Sequence, residues 1–190
     1  CPLGPVYLPA YAEGARAGIQ ILAPSLIGEN PLELGKINRH MDTTLKGHPY
    51  VKSAIDMACW DILGQTTGQP VCNLLGGRYG DDFLLYRAIS QESPESMAGK
   101  VAGYRAEGYR KFQLKVGGEY REDIERIMTV SSILDKSNIL VADANTGWKN
   151  HEAFKVIKQV ENLDVYIEQP CETYRDCVEI RKKTSNPFIL

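Results

Sequence analysis

Long apolar runs are missing from this chain. No stretch approaches the roughly 20 consecutive apolar residues that a membrane-spanning helix needs, and the N-terminus lacks the charged-then-apolar order of a secretory signal. The expectation is a soluble, cytoplasmic protein with no membrane partner. An excess of basic charge is lacking too. The 22 Lys and Arg stand against 24 Asp and Glu, scattered along the chain for a formal net charge of -2. That leaves no stripe for a phosphate backbone and argues against nucleic acid as a partner. Only three histidines are present, and the five cysteines (Cys1, Cys59, Cys72, Cys171 and Cys177) show neither C-x-x-C nor any paired zinc spacing. A structural zinc site and a disulfide framework are thereby disfavoured, and reduced thiols are expected. With 43% hydrophobic and 24% charged residues, what remains is an ordinary globular composition with material for one core or slightly more.

The chain opens on Cys1 rather than Met and closes on the apolar run Pro187, Phe188, Ile189, Leu190. Natural termini are usually polar and frayed, so a piece of a longer protein, truncated at both ends, is expected.

From residue 83 onward short β-rich runs recur at 83–89, 111–116, 138–143, 163–168 and 187–190, with helical spacing between them. Strands alternating with helices at this period mean βα units around a parallel sheet. The helix expected over 122–134 places Ile124, Ile127, Met128 and Ser131 on one face and Glu122, Asp123 and Arg126 towards solvent. Pro94 suits the first turn of the helix before it. A complete eight-stranded barrel takes about 200 residues or more, so five strands make an incomplete one. The repeat alone leaves an open doubly wound sheet as the alternative.

Residues 1–80 look helical, notably 51–64, where Ile55, Ala58, Cys59, Ile62 and Leu63 form an apolar stripe. Gly76, Gly77 and Gly80 mark a junction. The expected division is a helical preface over 1–80 and a β/α part over 81–190.

Period-2 alternation in 111–116 puts Phe112, Leu114 and Val116 on one face and Lys111, Gln113 and Lys115 on the other. The apolar row meets the helices, and the polar row faces the barrel interior, with Lys115 near the strand's C-terminal end, where barrel enzymes carry their chemistry. The next strand ends in Asp143, with Asn145 on the same face, and the one after it in Glu168. Taken singly, Lys115 could be a solvated strand end and Asp143 a helix cap. Taken together, Lys115, Asp143 and Glu168 occupy equivalent ends of three successive strands. Hard oxygen ligands of this kind suit Mg²⁺.

These residues resemble the enolase superfamily, in its mandelate racemase and muconate lactonizing branch. The resemblance is carried by the helix run from Ser53 to Asp61, by Leu74-Leu75-Gly76-Gly77, by Gln113-Leu114-Lys115, by the run from Asp143 to Trp148, and by Ile167-Glu168-Gln169-Pro170. It implies an α+β capping domain, here represented by its helical part, before a (β/α) barrel. Three carboxylates at the ends of the third, fourth and fifth strands would bind Mg²⁺, with Asp143 and Glu168 matching the first two. The third would follow the run ending at Leu190, so the isolated chain is expected to be inactive.

Family members commonly carry Lys-x-Lys on the second strand, the later lysine being the base; here the first position is Gln113. The resemblance thus assigns Lys115 as the base and Gln113 and Asn145 as substrate contacts. The surroundings of Gln113 and Lys115, with Arg87-Ala88-Ile89-Ser90, look most like members that dehydrate hydroxyproline-type imino acids. It also implies a small carboxylate or imino-acid substrate and a homo-oligomer of the complete enzyme. Epimerisation or cycloisomerisation within the same superfamily is the alternative. Outside it stand a Schiff-base lysine barrel and a non-catalytic fragment.

Overall fold

A computed structural model describes residues 2–5 and 9–190, and Cys1 lies outside the described residues. The chain separates into two compact units, Cys1–Asp81 and Asp82–Leu190.

The first unit contains α1 (Ala12–Leu26), α2 (Leu34–Thr44), α3 (Pro49–Thr67) and a single turn α4 (Val71–Leu74). Leu22, Ile37, Met41, Val51 and Cys59 form its core. Gly18 lets α1 approach α3 closely: a Cβ there would stand 2.6 Å from a methyl of Val51. Pro49 opens α3 at its first turn, where its missing N–H costs nothing, and Gly68 closes it in the left-handed conformation. The stripe expected on α3 is only half realised. Cys59 is buried and Ile55 and Leu63 partly so, whereas Ala58 and Ile62 are exposed, and Val51 and Gly64 are buried instead. Among the described residues no helix is long and apolar enough to cross a membrane.

The second unit alternates β1 (Tyr86–Ile89), α5 (Pro94–Ala106), β2 (Lys111–Lys115), α6 (Tyr120–Ser132), β3 (Ile139–Asp143), α7 (Asn150–Val160), β4 (Val165–Glu168), α8 (Tyr174–Arg181) and β5 (Phe188–Ile189). All five strands are parallel and lie in sequence order, β1-β2-β3-β4-β5. A doubly wound sheet reverses its strand order at a switch point, so that alternative is excluded. One face of the sheet, with Phe112, Leu114, Leu140, Ala142, Val165 and Ile167, packs on Met97, Val101, Ile127, Val130, Val156, Ile157 and Ile180 of the helices in one core. Each large apolar side chain fully buried there contributes about 1.5–3 kcal/mol. The opposite face carries Lys111, Gln113, Lys115, Val141, Asp143, Tyr166 and Glu168. Parallel strands in sequence order with the helices packed on one face are the arrangement expected of part of a (β/α) barrel.

The strands are shorter than their apolar runs. Residues 83–85 precede β1 and are exposed. Local signals set the helix starts: Ser93 accepts from Ser96 N before α5, Glu119 from Arg121 N and Glu122 N before α6, and Thr173 from Asp176 N before α8. Pro94 occupies the first turn of α5, as its position suggests.

The face of α6 differs from its sequence expectation. Asp123 is completely buried and Arg126 nearly so, whereas Met128 is 48% exposed and Val130 takes its place in the core. A helical wheel assigns charges to solvent, but here Asp123 and Arg126 satisfy each other and several loop groups, which makes their burial tolerable.

The loops after β2 and β3 press together through two glycines. Gly117 has φ +96°, and a Cβ on it would lie 2.1 Å from the Ala144 carbonyl oxygen; one on Gly147 would lie 2.2 Å from the Gly117 oxygen. Gly117→Ala therefore both strains the backbone and forces the loops apart. It should lower the unfolding free energy by at least about 2 kcal/mol. Gly99→Ala, mid-helix in α5 with open space around it, should be neutral or stabilising by up to about 1 kcal/mol. Urea titration of both variants checks the contrast; equal stabilities would contradict it.

Candidate active site

Register places the polar strand ends. Lys115 pairs with Asp143 across β2 and β3, and Asp143 with Glu168 across β3 and β4. Residues level in adjacent parallel strands project to the same face, so the three side chains form one row along the C-terminal edge of the open face. The row continues to Ile189 on β5.

Asp143 is the most enclosed of the three, 1% exposed. Its Oδ2 accepts from Lys115 Nζ at 2.5 Å, and its Oδ1 from the Asn145 backbone N at 2.9 Å. A second contact runs from Lys115 Nζ to Asn145 Oδ1 at 3.2 Å. Asn145 and Thr146 take positive φ, 44° and 67°, a conformation asparagine tolerates better than most residues. That turn brings the Asn145 amide back over the strand end. Asp143 is not a helix cap, because α7 begins only at Asn150, where Glu152 accepts from the Lys149 backbone N. Glu168 likewise precedes α8 by several residues, and Thr173 caps that helix.

Gln113, two residues before Lys115 on the same face, donates from Nε2 to Glu168 Oε2 at 2.7 Å. The structure thus brings all five candidate residues, Gln113, Lys115, Asp143, Asn145 and Glu168, into one cluster. Beneath it a cavity of about 240 Å³ is lined by Tyr86, Lys111, Gln113, Val141, Glu168 and Ile189.

Among the described residues no group of three or more His, Cys, Asp or Glu stands ready to hold a metal. Asp143 and Glu168 nevertheless fit a hard divalent cation: two adjacent carboxylates on one face are the number of protein ligands Mg²⁺ often takes, with water and substrate oxygens completing its octahedron. Of the histidines, the second unit holds only His151, exposed on α7.

Cys59, Cys72, Cys171 and Cys177 are free thiols. Burial is the main cause that pushes the Cys171 thiol up to about 12, reinforced by Cys177 and Asp176 nearby. It stays protonated at neutral pH and is no candidate nucleophile.

Sequence reading missed the support behind the row. Asp123 Oδ2 accepts from Gly117 N at 2.9 Å and from Trp148 Nε1 at 2.8 Å, while its Oδ1 accepts from Arg126 Nη1 at 2.8 Å and Gln91 Nε2 at 3.5 Å. Arg126 Nε in turn donates to the Glu92 carbonyl oxygen at 2.7 Å. One signal could have hinted at it: Asp123 and Arg126 stand three apart in α6, a spacing that lets them pair.

Comparison with known proteins gives the family. Residues 96–190 match the model of the enolase C-terminal domain-like family, and residues 4–76 that of the mandelate racemase / muconate lactonizing enzyme N-terminal domain. The chain is 62% identical over its whole length to a cis-3-hydroxy-L-proline dehydratase of Roseibium aggregatum, covering 52% of that protein. It is 38% identical over 89% of its length to an N-succinyl-L-Arg/Lys racemase of Bacillus cereus, covering 47% of it. A crystal structure of an enolase superfamily member from Roseovarius nubinhibens, complexed with magnesium, superposes with a TM-score of 0.87 at 43% identity, over 99% of this chain and 51% of that one. The chain therefore spans about half the length of the curated relatives it matches. With both family models matched and the strand-end row in place, the chain belongs to the enolase superfamily, in its mandelate racemase and muconate lactonizing branch.

Proposed function

We propose that the full-length protein carrying this chain removes the proton beside the carboxylate of a hydroxyproline-type imino acid and dehydrates it. In this reading residues 1–80 are the helical part of a capping domain, and residues 81–190 are the first part of a barrel that further strands close. The observation that carries the proposal is the row of Lys115, Asp143 and Glu168, level with one another on one open face of the sheet. The 62% identity to a cis-3-hydroxy-L-proline dehydratase supports the substrate class.

A proton next to a carboxylate is very weakly acidic, and its removal needs positive charge where the enediolate develops. Mg²⁺ bound through Asp143 and Glu168 would supply that charge. The chain's own residues do the rest. Lys115 in its neutral form takes the α-proton on Nζ, and the electron pair left behind passes into the carboxylate. Asn145 Oδ1, already 3.2 Å from Nζ, steadies the amine while it changes charge. Gln113 holds Glu168 through one amide N–H and presents its carbonyl oxygen to the substrate's ring nitrogen, which has N–H groups to donate. The enediolate re-forms the carboxylate by expelling the 3-hydroxyl, which leaves as water after gaining a proton. The resulting enamine tautomerises to a cyclic imine. A Schiff base on Lys115 would require no pair of carboxylates beside it.

Epimerisation is a second reading, favoured by the racemase among the relatives. It differs in that the proton returns to the opposite face and water is not lost. Proton NMR of the product separates the two.

The test of the base is α-proton exchange in deuterated water by the full-length protein with Mg²⁺. Lys115→Ala should reduce exchange by at least about 100-fold, the lower end of a general base's contribution, while calorimetry shows Mg²⁺ still bound. Exchange at the wild-type rate would assign the proton to another group.

The metal assignment has its own expected outcome. Asp143→Ala should weaken Mg²⁺ binding at least about tenfold, since even outer-shell changes commonly cost that much. Glu168→Gln should weaken it too. Calorimetric titration in the absence of substrate measures both, and undiminished affinity in both variants would remove these carboxylates from the metal site.

A further inference from the structure

We infer that Asp123 is a positioning residue, a buried carboxylate that ties the loops after β1, β2 and β3 into one body and thereby sets Lys115 and Asn145 over Asp143. The inference rests on the functional reading above and adds to it a residue outside the reacting groups.

Asp123 is 0% exposed. Its four partners come from four different places: Gly117 N from the loop after β2, Trp148 Nε1 from the loop after β3, Gln91 Nε2 from the loop after β1, and Arg126 Nη1 from the next turn of α6. Arg126 doubles the hold on the first loop by donating to the Glu92 carbonyl. Two donors on separate loops, Gly117 and Trp148, share the single atom Oδ2. Their separation is therefore fixed by the reach of two hydrogen bonds.

Burying an ion pair seldom stabilises a fold more than apolar residues of similar volume would. Stability alone is thus a poor account of Asp123. Geometry is a better one. Gly117 lies two residues beyond Lys115, and Trp148 lies three beyond Asn145. The loop backbones touch where Gly117 meets Ala144 and Gly147, and neither glycine has room even for a Cβ. A shift of the Oδ2 anchor therefore moves the Asn145 turn against the end of β2 and changes the Lys115–Asn145 distance. Asp143 and Glu168 are held differently, by backbone bonds at the strand ends: Val116 N donates to the Asp143 carbonyl and Ala144 N to the Glu168 carbonyl, each from the residue just past its strand. Loss of Asp123 should accordingly disturb proton abstraction more than metal binding.

The experiment compares Asp123→Asn and Arg126→Lys with wild type in the full-length protein, with a hydroxyproline as substrate. Asn keeps the shape of Asp123 but loses the charge and one acceptor oxygen. Lys keeps the charge of Arg126 but cannot hold Asp123 and the Glu92 carbonyl together in one planar fork. At a temperature where circular dichroism shows each variant folded, kcat for α-proton exchange should fall at least about tenfold, with KM and the Mg²⁺ dissociation constant within about threefold of wild type. A lowered Tm with unchanged kcat would make Asp123 merely structural and overturn the inference. Where Asp123→Asn does not fold, Arg126→Lys decides by the same readouts. No exchange in the wild type sinks the functional reading together with this inference, whereas wild-type exchange that both variants match sinks this inference alone.

Discussion

In a parallel sheet the hydrogen-bond register decides which side chains stand side by side, and nearly everything about this site depends on it. Lys115, Asp143 and Glu168 are distant in sequence, yet their Cα atoms are direct partners across β2, β3 and β4. A slip of one residue in any strand would send its whole polar set into the helix layer and its apolar set onto the open face. Burial forbids that slip, because Phe112, Leu114, Ala142 and Ile167 are completely enclosed on the helix side. The core that stabilises the unit is thus also what aligns the candidate site residues.

That coupling explains what could be read in advance. Strand alternation has period 2, so once Phe112, Leu114 and Val116 were assigned to the helices, Gln113 and Lys115 had to share the other face. The same logic grouped Asp143 with Asn145. Parallel topology with strands in sequence order followed from the βα repeat, although excluding a doubly wound sheet required the observed order. Strand ends were less legible. Residues 83–85 have the composition of a strand but stand exposed ahead of β1, since apolar composition shows which residues can pair and not how far a neighbouring strand extends.

Asp123 shows where one-dimensional reasoning stops. A helical wheel sorts residues by hydrophobicity and sends every charge outward, which is right for Glu122 and wrong for Asp123 and Arg126. Their burial depends on donors from Gln91, Gly117 and Trp148, groups brought near only by the completed fold. The contact between Gln113 and Glu168, 55 positions apart, was invisible for the same reason. Met128 is the complementary error: an apolar residue on the rim of the helix stripe, left 48% exposed.

Gln113 also bears on the electrostatics of the row. At the strand ends Asp143 and Glu168 bring two carboxylates and Lys115 one ammonium, paired with Asp143, while Lys111 stands at the other end of β2 on the same face. A lysine at position 113 would place a second ammonium beside Glu168. The amide instead brings no charge while still orienting Glu168 by a hydrogen bond. A dication held by these carboxylates, as proposed, would not have to displace a second ammonium. An amide also has both a donor and an acceptor, whereas an ammonium only donates. It can therefore hold a carboxylate with one end and accept from a substrate nitrogen with the other, which a lysine cannot do. Under the proposed function, Gln113 would thus change which substrates the same row could hold, without altering the register that builds it.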